Sequence, residues 1–168
     1  IPIRDEIAHI TAFVQLQNMR FQNKLHLVVE VDEEIQEYTI LKLMLQPIVE
    51  NAILHGIMKK ASREGTIIIE GKMEKDLVVL YILDDGMGMT EEEIGKLMAS
   101  KLVSKHNSGY GVKNIIERVK LFYGEQYGIT YNSVFGQGTT VEIRIPAKEN
   151  NGIQGREATS IDELHKGK

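Results

Sequence analysis

Three glycine pairs and one polar-flanked apolar segment carry the residues of this sequence whose types and spacing suit chemistry. The first pair lies in Asp84-Asp85-Gly86-Met87-Gly88, directly after the apolar run LVVLYIL (77–83). A carboxylate at the end of a buried strand needs a hydrogen-bond partner. As an acceptor it suits the exocyclic amine of adenine, and glycines would let a flat base lie against the backbone. The same residues also suit an ordinary strand-ending turn. The second pair opens GYGVKNIIERVK (109–120). Its free amides at a helix start, at Gly109, Tyr110, Gly111 and Val112, favour phosphate oxygens. Lys101, Lys105 and His106 just before it are donors able to close over a polyphosphate, although a plain solvated loop has the same look. The third pair is Gly136-Gln137-Gly138. None of the three continues to a dinucleotide fingerprint, since Glu91, Asn114 and Val141 stand where a third glycine belongs.

The segment LQPIVENAILHG (45–56) has the most unusual pattern. On a helix, Leu41, Leu45, Ile48 and Ala52 form the core stripe, and Asn51 and His55 share its flank one turn apart. Asn51 offers a hard carbonyl oxygen to magnesium, which often takes few protein ligands and shares substrate phosphates. Glu50 could accept a proton or orient a water. Each also has an everyday reading: a structural Asn, a solvated Glu, and a His55 that faces the helix C-terminal dipole.

The elements that position these residues follow from patterning. Residues 3–22 repeat Ile3, Ile7, Ile10, Val14 and Phe21 at helical spacing. Leu25, Leu27, Val29 and Val31 alternate as a strand. Residues 40–57 predict a helix with Pro47 in its first turn or at a kink. The runs 66–73 and 77–84 form a hairpin, and Thr90 with Glu91, Glu92 and Glu93 opens a short helix to 99. Residues 100–109 form a loop, and a helix from Val112 to Tyr123 stops at Gly124. Strands 127–133 and 139–146 finish the set, and the tail 147–168 is expected to be mobile. Hairpins exclude an all-parallel sheet. The expectation is an α+β, two-layer sandwich whose mixed, mostly antiparallel sheet carries its helices on one face.

At 168 residues, 42% apolar and 26% charged, the chain is long enough for one well-filled core. A net charge of -4 argues against nucleic acid as a partner. The absence of cysteine removes disulfides, thiolate metal sites and thiol nucleophiles. The first residue is Ile1, which suggests a piece of a longer protein.

Taken together, Glu-Asn-Ala-x-x-His-Gly, D-x-G-x-G, G-x-G before a helix and G-x-G-T before a last strand resemble the ATP-binding module of histidine kinases, gyrase, ninety-kilodalton chaperones and MutL. The stretches LQPIVENAILHGI, DDGMGM, GYGVKNIIERVKLFYG and GQGTTVEIRIP are most similar to sensor kinases of the LytS/YesM type, over about residues 10–146. The resemblance implies a Bergerat-type fold over 23–146, ATP and Mg2+ as ligands, and γ-phosphoryl transfer to a histidine on another domain. Residues 1–22 would lead from that dimerisation and phosphoacceptor region. Asn51 would hold magnesium with Glu50 as its acidic neighbour. Asp84 would bind adenine, with Thr139 joining through a water and Gly86 and Gly88 flanking the base. His55 would border the nucleotide. Residues 89–108, from Met89, would form a lid, and Lys101, Lys105 or Lys113 would neutralise phosphate with the amides at Gly109–Val112.

The resemblance further implies a response regulator as partner, a homodimeric parent protein in a bacterial plasma membrane, and a cytoplasmic position for this domain. Two departures stand out. Leu54 occupies the position three after Asn51, where other histidine kinases often have Lys. Pro47 occupies the place of the water-activating Glu of gyrase-like enzymes, which weighs against the rival reading of an ATP-hydrolysing conformational module. A nucleotide-sensing regulator without transfer is the other alternative.

Overall fold

The computed structural model describes residues 1–99 and 110–148. Helix α1 (Ile3–Arg20) is followed by strand β1 (Leu25–Val31) and a 3-10 turn at Glu33–Ile35. Helix α2 (Gln46–Asn51) runs into a π-turn (Ala52–Gly56) and a 3-10 turn (Ile57–Lys59). The hairpin β2 (Gly65–Glu74) and β3 (Leu77–Asp84), helices α3 (Glu91–Ala99) and α4 (Tyr110–Tyr123), and strands β4 (Gly128–Val134) and β5 (Gly138–Pro146) complete the fold.

The strands form one sheet in the order β1-β2-β3-β5-β4. Only β1 and β2 run parallel; the other neighbours are antiparallel. The strand alternation sorts side chains by face. Ile67, Ile69, Val78, Leu80, Ile82, Ile129, Tyr131, Val141, Ile143 and Ile145 point inward and are buried with residues of α1, α2 and α4 in one core. Glu70, Lys72, Glu74, Tyr81, Glu142 and Arg144 occupy the opposite face. There Arg144 bridges Glu74 at 2.8 Å and Glu142 at 3.2 Å, and Lys72 reaches Glu74 at 2.8 Å. The expected α+β sandwich with a mixed, mostly antiparallel sheet is therefore what the chain forms.

Several sequence expectations are corrected or resolved. The helix predicted over 40–57 starts only at Gln46, because Leu43 adopts a left-handed φ of 58°, which no α-helix tolerates. Pro47 lies in the first turn, where its missing N–H costs nothing, so it starts the helix and kinks nothing. Leu41 consequently precedes the helix. Beyond Asn51 the turn widens to π geometry, so the one-turn spacing of Asn51 and His55 is not that of a regular α-helix.

Strand β1 alternates only in part: Leu25 is buried, but Val29 is exposed like its neighbour Val28, on an edge strand paired on one side. Helix α4 begins at Tyr110, two residues early. The start of the tail is tied down, with the Ala147 amide donating to the Asp76 carbonyl and the Thr39 amide to the Lys148 carbonyl. The rest of the tail, and the loop 100–109, lie outside the described residues.

Helix α1 packs on the same core through Ile3, Ile10 and Val14. Among the described residues no helix is long and apolar enough to cross a membrane.

Candidate functional site

The site forms where β3 ends beside the π-turn. Asp84 is the last residue of β3 and pairs with Ile67 on one side and Thr139 on the other. Its Oδ1 accepts the Gly86 amide at 2.8 Å. Burial, helped by the charge of Asp85, pushes its carboxyl up to about 6, against the pull of the Gly86 amide and Lys60. A carboxylate held this far out of water is poised to gain from a ligand that donates a hydrogen bond.

Glycines make the surroundings possible. A Cβ on Gly56 would sit 2.8 Å from Asp84 Oδ1, and one on Gly86 would run into the Gly56 backbone. The Met87 amide donates to the Gly56 carbonyl at 3.1 Å, which fastens the loop to the π-turn. Gly88 takes a φ of 67° and a Cβ there would strike the Val134 carbonyl. The Gly136 amide donates to the Met87 carbonyl at 2.6 Å. The loop after Asp84 is thus strapped between the end of the α2 segment and the β4–β5 turn.

Thr139 is buried and its Oγ1 lies 2.9 Å from Ser133 Oγ. Ser133 already donates its single proton to the Gly138 carbonyl at 2.8 Å, so Thr139 is the donor of that pair. The lone pairs of Thr139 remain for a ligand or a water. Ser133 also accepts the Met89 amide at 2.7 Å, which fixes the chain as it leaves the glycine loop. Met89 itself is half-buried against the core.

Glu50 and Asn51 are half-buried at the C-terminal end of α2. Glu50 Oε1 accepts from Gln46 Nε2 at 2.9 Å. The Nε2 of His55 is buried without a hydrogen-bond partner among the described residues, and burial, then the nearby Lys59 charge, lowers its pKa. His55 is therefore the neutral imidazole at pH 7. Gly111 lies near Pro47, a Cβ there falling 3.5 Å from the proline ring, so α4 starts beside the start of α2. Val112 is buried, and Lys113 Nζ lies 3.9 Å from Glu117 on its own helix. Lys101, Lys105 and Gly109 lie outside the described residues, as does 100–108 of the span 89–108; its described part contains α3.

Sequence reasoning overlooked three participants. Ser133 looked like an ordinary strand residue, and nothing local marks it. Gly56 and Gly138 were visible as glycines, but their roles need the distant Asp84, whose carboxylate a Cβ on Gly56 would crowd and whose carbonyl a Cβ on Gly138 would strike.

Residues 36–149 match the family described as histidine kinase-, DNA gyrase B-, and HSP90-like ATPase. The chain belongs to this family of ATP-binding modules. Among curated proteins it is 32% identical over 148 residues to the sensor histidine kinase YesM of Bacillus subtilis, covering 88% of this chain and 24% of that protein. It is 28% identical over 148 residues to the sensor protein LytS of Bacillus cereus, covering 88% of this chain and 25% of that protein. The chain therefore spans about a quarter of the length of these relatives. The fold is also that of the histidine kinase domain from the Erythrobacter litoralis blue-light activated histidine kinase, with a TM-score of 0.57 at 17% identity, over 88% of this chain and 62% of that one.

Proposed function

We propose that this chain is the ATP-binding catalytic module of a sensor histidine kinase. It passes the γ-phosphoryl group of ATP to a histidine on a dimerisation domain outside this sequence, for relay to a response-regulator aspartate. The observation that carries the reading is Asp84, desolvated at a strand end, one oxygen engaged by Gly86 and a glycine cradle around it. That geometry suits a flat base with an amine edge, and the cradle would be filled by any larger residue.

Asn51 and Glu50 supply oxygen donors of the type magnesium prefers. The ion, when bound with ATP, supplies charge neutralisation at the phosphates. Asn51 would hold it, and the α4 amides around Gly111 would receive phosphate oxygens. His55, neutral and with a buried nitrogen free, would border the nucleotide. In the transfer, a nitrogen of the acceptor histidine bonds to the γ-phosphorus as the bond to the bridging oxygen breaks, and ADP leaves. Little covalent work falls to the protein, so positioning and electrostatics suffice. Pro47 in the first turn of α2 leaves no carboxylate there to activate water, which favours transfer over hydrolysis. In the parent protein, the module would lie on the cytoplasmic side of a plasma-membrane homodimer.

The test is incubation with γ-labelled ATP and a His-bearing dimerisation domain. Acid-labile label on that domain is the expected result. Release of inorganic phosphate without labelling would identify a hydrolase, and binding with neither product a nucleotide sensor.

A further inference from the structure

Tyr131 of β4 has a hydroxyl that nothing in the described structure satisfies. The residue is 7% exposed, and its oxygen is buried with no hydrogen-bond partner. A buried phenol normally finds one, because an unmade hydrogen bond in the interior is costly. The register shows where the ring points. Tyr131 pairs with Val141, which pairs with Ile82; two residues along the same face, Ser133 pairs with Thr139, which pairs with Asp84. Burial of Ile129, Tyr131, Val141 and Ile143 marks that face as the inner one, and the contact between Ser133 and Thr139 sets both on it. Tyr131 thus underlies the patch that Asp84 and Thr139 form. After burial, the Asp84 charge is the second cause that holds the phenol proton on, so the hydroxyl lies within that carboxylate's field as a proton donor.

We propose that Tyr131 is a specificity-determining residue of the nucleotide site, its hydroxyl donating, directly or through one bound water, to an adenine ring nitrogen beside the amine that Asp84 accepts. The inference rests on the reading of Asp84 as the adenine contact. Adenine offers a donor at its amine and acceptors on either side of it, at N1 and N7. An acceptor at Asp84 and a donor at Tyr131 match that pattern. Guanine presents a carbonyl in place of the amine, which faces Asp84 unfavourably. The match also explains why the protein retains a hydroxyl that is unsatisfied until a ligand arrives.

The experiment compares wild type and Tyr131→Phe in two measurements. Thermal unfolding without nucleotide should be unchanged or raised in Tyr131→Phe, because removing an unpartnered buried hydroxyl relieves a cost. ADP binding by calorimetry should weaken about three- to tenfold, the range for one neutral hydrogen bond. The same pair is then titrated with 1-deaza-ADP and 7-deaza-ADP. With the analogue that lacks the contacted nitrogen, wild type and variant should bind equally. Equal ADP affinity of wild type and Tyr131→Phe overturns the proposal, as does the same loss for all three ligands. Wild type that binds no ADP overturns the reading of Asp84 as well, so the two failures are distinct.

Discussion

The Glu6 carboxylate of α1 accepts the backbone amide of Leu45 at 3.0 Å, one residue before the helix that carries Glu50 and Asn51 begins. Its other oxygen accepts the Leu43 amide at 3.0 Å, at the residue whose left-handed φ precludes an earlier helix start. Glu6 is fully buried. A side chain on the first helix thus serves as the N-terminal anchor of α2, with its negative charge at the positive end of that helix.

Glu6→Ala would strand two amide donors, and hydrogen bonds to charged groups contribute about 1.5–3 kcal/mol each. The variant should lose about 3 kcal/mol of stability in urea unfolding, and Glu6→Gln, which keeps one acceptor oxygen, clearly less. Equal, small losses in both would mean the amides find water and the anchor is dispensable.

The raised Asp84 value makes a pH prediction with a definite sign. In the unfolded chain the carboxyl ionises in the ordinary range; in the folded one it holds its proton until about pH 6. Protonation therefore favours the folded state, and this contribution is lost as pH rises through 6. Under the proposed adenine contact, ligand binding runs the other way, because the amine of adenine would need the ionised acceptor. Adenosine, which has no phosphate to titrate, should bind less tightly below pH 6, by up to about tenfold per unit. Asp84→Asn should bind roughly tenfold less at pH 7.5 and show no slope across this range. A wild-type affinity flat from pH 7.5 to 5 in calorimetry would remove the carboxylate from the base contact.

How much of this was visible in the sequence depends on the range of each interaction. The hairpin after Gly65, the Thr90 cap and the glycine-ended helix α4 are local, and the chain states them locally: Thr90 and Glu93 exchange the two bonds of a capping box, at 3.2 and 2.8 Å. Asp84 was legible because an acid after seven apolar residues conflicts with its surroundings, and such conflicts concentrate at functional sites. Glu6 was not legible. Its partners lie 37 and 39 residues away, and on a helical pattern it looks like a first-turn acid. Nor was Tyr131, which has the pattern of any aromatic core residue until its hydroxyl is found unsatisfied. The π-turn after Asn51 is equally silent, since apolar spacing cannot separate it from an α-helical turn.

Asn51→Ala separates a phosphate and metal role from a structural one. Asn51 is half-buried beyond the core stripe of Ile48 and Ala52, so little packing depends on it. Affinity for ATP with magnesium should fall at least tenfold, and affinity for adenosine should stay within about twofold, the scatter expected when a base contact is untouched. Parallel losses for both ligands would show that Asn51 acts by shaping the π-turn that touches the base cradle.

Leu54 gives the sharpest test of how phosphate charge is met. It is 47% exposed within the π-turn, three residues after Asn51, so a long polar side chain fits there without repacking the core. A cation at this point would lie on the same segment as Asn51, whose proposed partners are the phosphates. Between exposed charges a few ångströms apart, attraction amounts to about 1 kcal/mol in water. Leu54→Lys should therefore tighten ATP binding about fivefold at low ionic strength. The gain should shrink at 0.5 M salt, where screening shortens the reach of the charge. Adenosine affinity should not change at either salt concentration, because the effect acts through phosphate alone. If ATP and adenosine respond alike, or if the gain persists unchanged in high salt, the side chain at 54 does not face the phosphates, and their neutralisation falls to other cations of the chain.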